Sequence, residues 1–519
     1  MKNSFRILSQ GLLLFILLSS CRNKTEIQQA GPLPRSVPEV EGVSSEMIIQ
    51  FLDSAALTKH EFHSIMILRH GKVIAEGWWS PYRSDLKHTL YSTSKSFTST
   101  AVGFAVTEKL ISLNDTVISF FPGYLPDTVS DNLASLTIRD LITMSVGQDP
   151  DPTFSIRASD TNWVKSFLAI PVINKPGSKF LYNSMATYML SAIIQKVTGE
   201  KVIDYLTPRL FEPLGIKDMD WEEDPMGINT GGWGLRVKTE DMAKLGLLYL
   251  QKGMWNGRQI IPSAWVEEAT TFKIDQAPEA SQSKKDSSDW MQGYCYQFWR
   301  SRNNSFRADG AFGQYILVLP EKDAVIAITA ESPDMQDEIN LVWKYLLPAF
   351  KEEALPADTA LAATLKSRLA SLSLPVSPKA PDSPVAAIIS GKTFMLESND
   401  QQLDSVSFEF NGELCRMKLS SAGNVYSLDF GSGKWTEGET GKAGPRLIAT
   451  GVGLPARKVV GCYFWKDENT IELTLRYIES PHHETFSCKI LKDKIVMNIA
   501  PSIAFGSKQK DIKGTLKKE

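Results

Sequence analysis

Cysteine is scarce in this chain, with five in 519 residues. Cys21 stands alone near the N-terminus. Cys295, Cys415, Cys462 and Cys488 match neither a zinc ribbon nor Cys-x-x-Cys spacing, so no metal centre is expected. Three of these four fall in the C-terminal third, where one disulfide or free buried thiols would suit equally. An excess of charge of either sign is also missing: 56 Lys+Arg stand against 59 Asp+Glu, for a formal net charge of -3, and the basic residues are dispersed. That excludes a nucleic-acid partner. No apolar run is long enough to span a bilayer, and no internal repeat is present. A Gly-x-Ser-x-Gly nucleophile elbow is absent as well. The nearest segment, Thr143-Met144-Ser145-Val146-Gly147, lacks its first glycine, and His60, His63, His70 and His88 precede it while His482 and His483 lie far downstream. A Ser-His-Asp hydrolase therefore fits poorly.

What is present begins with an address. Lys2 and Arg6 precede the apolar run Gly11 to Leu18, which stops at Ser19-Ser20-Cys21. Leu18-Ser19-Ser20-Cys21 resembles a bacterial lipobox, which implies cleavage, a lipid on Cys21, and an exported protein anchored to a bacterial membrane. Residues 22–40, with Pro32, Pro34 and Pro38, read as a tether. A folded domain is expected over 41–350, a Pro/Ala/Ser-rich linker with room for one short helix over 351–385, an all-β accessory domain over 386–505 and a polar tail over 506–519.

Within 41–350, Ser64 to Leu68 and Val73 to Trp78 flank His70-Gly71-Lys72 as a β-hairpin whose histidine reads as a surface residue. Apolar residues from Phe97 to Leu110 recur at helical spacing with small residues between, as in a helix buried on most sides. Helices are expected over 187–197, 239–251, 263–270 and 337–347, and paired strands over 315–318 and 324–328. Strands at both ends with helices between imply an α+β fold whose terminal segments share one antiparallel sheet. Beyond the linker, 405–410, 425–430 and 471–477 alternate with period two, which predicts a small sandwich or barrel. Trp435, Tyr463, Phe464 and Trp465 there suit a core better than a glycan or peptide surface.

The chemistry-bearing segment is Tyr91-Ser92-Thr93-Ser94-Lys95-Ser96. Positions i and i+3 share a helix face, so the Lys95 amine can reach the Ser92 hydroxyl. Serine needs a base, and a lysine serves as one if burial lowers its pKa. By itself Ser-x-x-Lys is a common tetrad, and an N-cap serine beside a solvated lysine explains it equally well.

Its company is more specific. The run Tyr91 to Ser99 resembles the nucleophile segment of serine β-lactamase-related hydrolases, a family that includes class C β-lactamases, D,D-peptidases, esterases and nylon-oligomer hydrolases. Asp140 to Gly147, Pro176 to Ser184, Gly232-Trp233-Gly234-Leu235 and Ala308 to Gln314 resemble later family segments in the same order, and the Gly232 segment and Tyr182-Asn183-Ser184 resemble the nylon-oligomer branch. The resemblance spans about residues 41–350. It implies a β-lactamase/transpeptidase-like fold, Ser92 as nucleophile, and Lys95 and Tyr182 as the proton-handling pair, with the base left open between them. It further implies an oxyanion hole from the Ser92 and Ala311 N–H groups, with Gly310 allowing close backbone approach. Asn183 or Ser184 would orient Lys95 or the substrate carbonyl. The family commonly reads Tyr-x-Asn where this chain reads Tyr-Asn-Ser.

In many relatives a cation ahead of Thr-Gly holds a substrate carboxylate, whereas this chain carries Ala308-Asp309. That change disfavours β-lactam carboxylates and favours esters, amides or short peptides. Trp233 and Trp290 either line the pocket or merely pack. No cofactor is implied, and nothing in the sequence sets an oligomeric state. The competing readings are a true β-lactamase and a non-catalytic binding or sensor lipoprotein on the same scaffold.

Overall fold

The computed structural model describes residues 31–156, 160–379, 383–448, 452–503 and 509–518. Cys21 and its lipobox lie outside these residues.

A six-stranded antiparallel sheet organises the first domain. The N-terminal hairpin, Glu61–Arg69 and Lys72–Trp78, pairs with Ala324–Glu331, followed outward by Gln314–Leu319, Phe306–Gly310 and Trp299–Arg300. Terminal segments thus share one sheet, as expected. The hairpin turns on His70 (φ 49) and Gly71 (φ 73), and the exposed His70 pairs with Glu41.

The helix Ser94–Thr107 runs through the interior with twelve of its residues buried. Its many hydroxyls do not offend the core because each finds a neighbour. Ser96 Oγ donates to Gln297 O, Thr98 Oγ1 to Gly231 O and Ser99 Oγ to Tyr296 O, while Thr100 pairs with the Tyr249 hydroxyl. Helix Ser184–Thr198 packs beside it and ends at Gly199 in the left-handed conformation. Helix Thr239–Leu250 covers one sheet face.

The C-terminal domain is a closed barrel. Successive antiparallel pairings run from Leu403–Asn411 to Asn424–Ser432, and again from Thr436–Thr440 to Ile512–Leu516. Thr393–Leu396 pairs with both Leu403–Asn411 and Ile512–Leu516, and a short parallel contact, Gly431 with Cys462 and Ser432 with Tyr463, completes the ring. Period-two alternation fills the interior with Phe394, Phe408, Met417, Phe430, Leu473, Phe486 and Met497. Tyr463 and Trp465 are core residues, and Cys295, Cys415, Cys462 and Cys488 are free and buried.

Three expected boundaries change. The 506–519 segment is not a tail throughout, because Ile512 is buried and its strand pairs on both sides. Residues 31–40 of the expected tether are docked: Leu33 is in the core, and Arg35 bridges Glu76 and Glu240. The expected linker contains helix Thr359–Ala370, which lays Leu365 and Leu369 against the first domain. Spaced leucines on one helix face supply the reason.

The two domains touch over a wide junction. Tyr82, Leu86, Leu374, Val460 and Ile478 form a shared apolar cluster. Around it the Tyr82 hydroxyl donates to Ser480 O, Thr89 N to Glu479 O, and Arg476 to Glu61.

Candidate active site

Ser92 lies in a 3-10 turn, Tyr91–Thr93, that leads without a break into the Ser94–Thr107 helix. In such a turn residues three apart nearly eclipse. Lys95 Nζ accordingly sits 3.0 Å from Ser92 Oγ, with Ser184 Oγ at 3.0 Å and Gly232 O at 2.7 Å. The lysine is 1% exposed. Burial pushes its amine down to about 7, against the opposing pull of Asp151 and Asp309.

Tyr182 lies beside the amine, with Lys95 Nζ 4.9 Å from its ring centroid and its hydroxyl neighbouring Ser92. Burial and the Asp309 carboxyl hold its hydroxyl well above the usual phenol range, and the Ser92 contact only partly offsets them. The ring stacks on Trp299 (5.5 Å between centroids) and meets Tyr294 edge-on.

The Tyr-Asn-Ser departure divides its labour by position. Asn183 is the N-cap of helix Ser184–Thr198, accepting from Ala186 N and donating to Gln148. It is turned away from the lysine, and Ser184 makes the Lys95 contact. Ser184 is held in turn: its N–H donates to Thr153 Oγ1, which donates to Asp151.

Gly310 ends the Phe306–Gly310 strand against the turn that carries Ser92. A β-carbon there would lie 2.1 Å from Leu90 O, a backbone atom that cannot step aside. Thr93 Oγ1 donates to Gln314 O and ties the same two segments together, bringing Ala311 alongside the turn. The residues flanking Ser92 and Ala311, Tyr91 (φ 48) and Phe312 (φ 67), are both in the left-handed region. For non-glycine residues that costs about 1–3 kcal/mol each and persists where neighbours hold it.

Two of the candidate wall residues are taken up by pairing and packing. Asp309 is not a free anion facing substrate: Arg307, two residues back on the same strand face, pairs with it at 2.8 Å and lies over the rings of Trp290 and Trp299. Burial raises the Asp309 carboxyl while Arg307 draws it back. Trp233 is a packing residue, 3% exposed and stacked on Trp163, although its neighbour Gly232 supplies the lysine's carbonyl partner. Sequence reasoning missed Gly232, Arg307, Tyr294, Trp299 and Asp151. Period-two spacing from Asp309 would have found Arg307.

Ser145 in the near-miss elbow is buried and bonded to Thr143, with no histidine beside it. His482, by contrast, is distant only along the chain. Its Nε2 lies 2.5 Å from the Tyr91 hydroxyl, next door to Ser92. Among the described residues one cluster has metal-ligating spacing, Glu61, Glu331 and His483 at the domain junction. Its two carboxylates are already engaged by Arg476 and His63 and by His482 and Ser502.

The Beta-lactamase family profile matches residues 58–346. The 6-aminohexanoate-dimer hydrolase of Paenarthrobacter ureafaciens is 25% identical over 289 residues, covering 52% of this chain and 73% of that protein. Protein flp of Staphylococcus aureus strain MW2 is 25% identical over 173 residues, 31% of this chain and 34% of its own length. A solved structure from Bacillus anthracis, provisionally named 6-aminohexanoate-dimer hydrolase, has a TM-score of 0.52 at 21% identity, covering 63% of this chain and 90% of that one. It shares the β-lactamase/transpeptidase-like fold. Since the profile runs from the hairpin to the end of the sheet's closing helix, over more than half of the residues, the chain belongs to the Beta-lactamase family.

Proposed function

We propose that this family member is a serine hydrolase that cleaves a small ester, amide or peptide bond through an acyl-enzyme on Ser92. The observation that carries the reading is Lys95: buried, 3.0 Å from Ser92 Oγ and poised near neutrality. As an ammonium it donates to all three of its partners. As an amine it has two N–H groups and one lone pair. Gly232 O can only accept, so one N–H stays on the carbonyl, the other serves Ser184, and the lone pair is left for the Ser92 proton. Tyr182 is held as a neutral phenol, which makes Lys95 the base and Tyr182 the hydroxyl that relays a proton to the leaving group.

In the cycle, Ser92 Oγ attacks the carbonyl carbon as its proton passes to Lys95. The N–H groups of Ser92 and Ala311 hold the oxyanion, and the intermediate collapses as the leaving group takes the proton by way of Tyr182. Water then attacks the acyl-enzyme, Lys95 accepts its proton, and Ser92 regains a hydrogen as the acid departs.

The pairing of Arg307 with Asp309 favours substrates without a carboxylate beside the scissile bond, since the cation is already spent. The Paenarthrobacter relative is named for a 6-aminohexanoate dimer, an amide, which supports amides within this class. Export and a lipid on Cys21, anchoring the enzyme to a bacterial membrane, belong to the same proposal and rest on the lipobox. Mass labelling of Cys21, and release of a Cys21→Ser variant from membranes, tests that part.

Intact-mass trapping with an ester, a D-amino-acid peptide and a β-lactam in parallel tests the chemistry. An adduct on Ser92, absent from Ser92→Ala, is expected from the ester or peptide. Equal ester turnover by wild type and Ser92→Ala would sink the assignment and leave a binding protein on a hydrolase scaffold.

A further inference from the structure

One buried side chain outside the groups used above touches both walls of the site, and it comes from the barrel. His482 closes the turn between strands Thr470–Tyr477 and His483–Leu491 and is fully buried in the first domain's surface. Its Nδ1 lies 2.7 Å from Glu331 Oε1 and its Nε2 lies 2.5 Å from the Tyr91 hydroxyl. A carboxylate only accepts, so the ring proton sits on Nδ1 and Nε2 accepts from Tyr91. Burial pushes the imidazole's pKa down, against the pull of Glu331, and so keeps it in this neutral form. Burial also pushes the Glu331 carboxyl up, but bonds from His482, His483 and Ser502 draw it well below the carboxylate range.

The same imidazole meets the Phe312 ring edge-on, with centroids 4.9 Å apart and planes at 90°, and Phe312 and Tyr91 close the triangle at 5.4 Å. Tyr91 and Phe312 precede Ser92 and follow Ala311, the two residues whose N–H groups form the oxyanion hole in the reading above. Both are aromatic residues in left-handed backbone, a conformation that reverts unless their side chains are held. Docking of the barrel does not depend on this contact, because the apolar cluster around Ile478, the Arg476–Glu61 pair and the Tyr82, Thr89 and Arg236 bonds to the same turn supply it elsewhere.

We infer that His482 is a positioning residue that sets the oxyanion hole across the domain junction: through Tyr91 and Phe312 it fixes the peptides on either side of the Ser92 and Ala311 N–H groups. The inference rests on the proposed roles of those two residues. The barrel is then a component of the active site rather than an appended module.

The test compares full-length wild type, His482→Ala, His482→Gln and Tyr91→Phe on an oxoester and on its thionoester, with Ser92→Ala as reference. An oxyanion hole is spaced for oxygen and serves sulfur poorly, so only oxoester turnover depends strongly on its geometry. His482→Ala is expected to lower oxoester kcat roughly 10- to 100-fold, with KM within about twofold, and to compress the oxo-to-thiono ratio by a similar factor. His482→Gln, whose amide can donate an N–H toward Glu331 and accept from Tyr91, recovers most of the loss. Tyr91→Phe keeps the ring, loses only the hydrogen bond, and shifts the ratio in the same direction; it decides the matter if the alanine variant does not fold. An unchanged ratio in His482→Ala and Tyr91→Phe, or equal loss on both esters, overturns the inference while an inactive Ser92→Ala leaves the serine assignment standing. An active Ser92→Ala removes both.

Discussion

Lys95 and His482 reach Ser92 by opposite routes. The lysine arrives from one turn away along the chain and touches the Ser92 hydroxyl; the histidine belongs to another domain and reaches the site only through the neighbours of Ser92 and Ala311. Both are buried, and in both burial lowers the pKa against the pull of carboxylates. In the proposed mechanism local spacing supplies the base and long-range packing holds the geometry, so damage to the two should differ in kind.

The sharpest break of that contrast is Lys95→Ala, expected to cut kcat by roughly 10³-fold or more, since it removes the base itself. Stopped-flow acylation measures it, and near-normal acylation would take Lys95 out of the mechanism. Gly310→Ala should follow, with roughly 10²-fold lower kcat, because its β-carbon must push the Leu90 carbonyl and with it the hole. A crystal structure of the variant with an undisturbed Leu90–Thr93 turn and full turnover would refute this.

A smaller effect concerns pH. If the neutral amine is the reactive form, kcat/KM falls as pH drops through about 7. Asp151 holds that pKa up, so Asp151→Asn should move the acidic limb to lower pH and raise activity on the acid side relative to the optimum. A limb that stays put or moves upward contradicts the assignment of Lys95 as base. The smallest expected change in turnover is in Asn183→Ala. Loss of the cap should cost about 1 kcal/mol of stability in a denaturant titration and leave kcat nearly intact. Ser184→Ala should do the reverse, and identical behaviour of the two would erase the division between them.

Local patterns made much of this molecule readable before any coordinates. The hairpin, the buried Ser94–Thr107 helix and the barrel strands follow from period and turn chemistry, and Ser92, Lys95, Tyr182 and Gly310 from segments each contiguous in the chain. What escaped had more than one cause. Arg307 was legible from its spacing to Asp309 on one strand face and was overlooked, whereas Gly232 contributes a carbonyl, which no side-chain pattern records. His482 gave no periodic signal in its turn. The helix Thr359–Ala370 fits the one the linker had room for, but its docking was masked by alanine-rich composition, and Ile512–Leu516 by the lysines around it.

Barrel closure has a consequence for how the enzyme comes into being. The strand Thr393–Leu396 finds one of its two partners only in Ile512–Leu516. Synthesis runs N-terminal first at about 5–20 residues per second. The catalytic sheet can therefore assemble well before the barrel can shut and settle His482 against Tyr91. On the proposed role of His482, the Ser92 and Ala311 N–H groups would gain their full support only once Ile512–Leu516 has closed the ring.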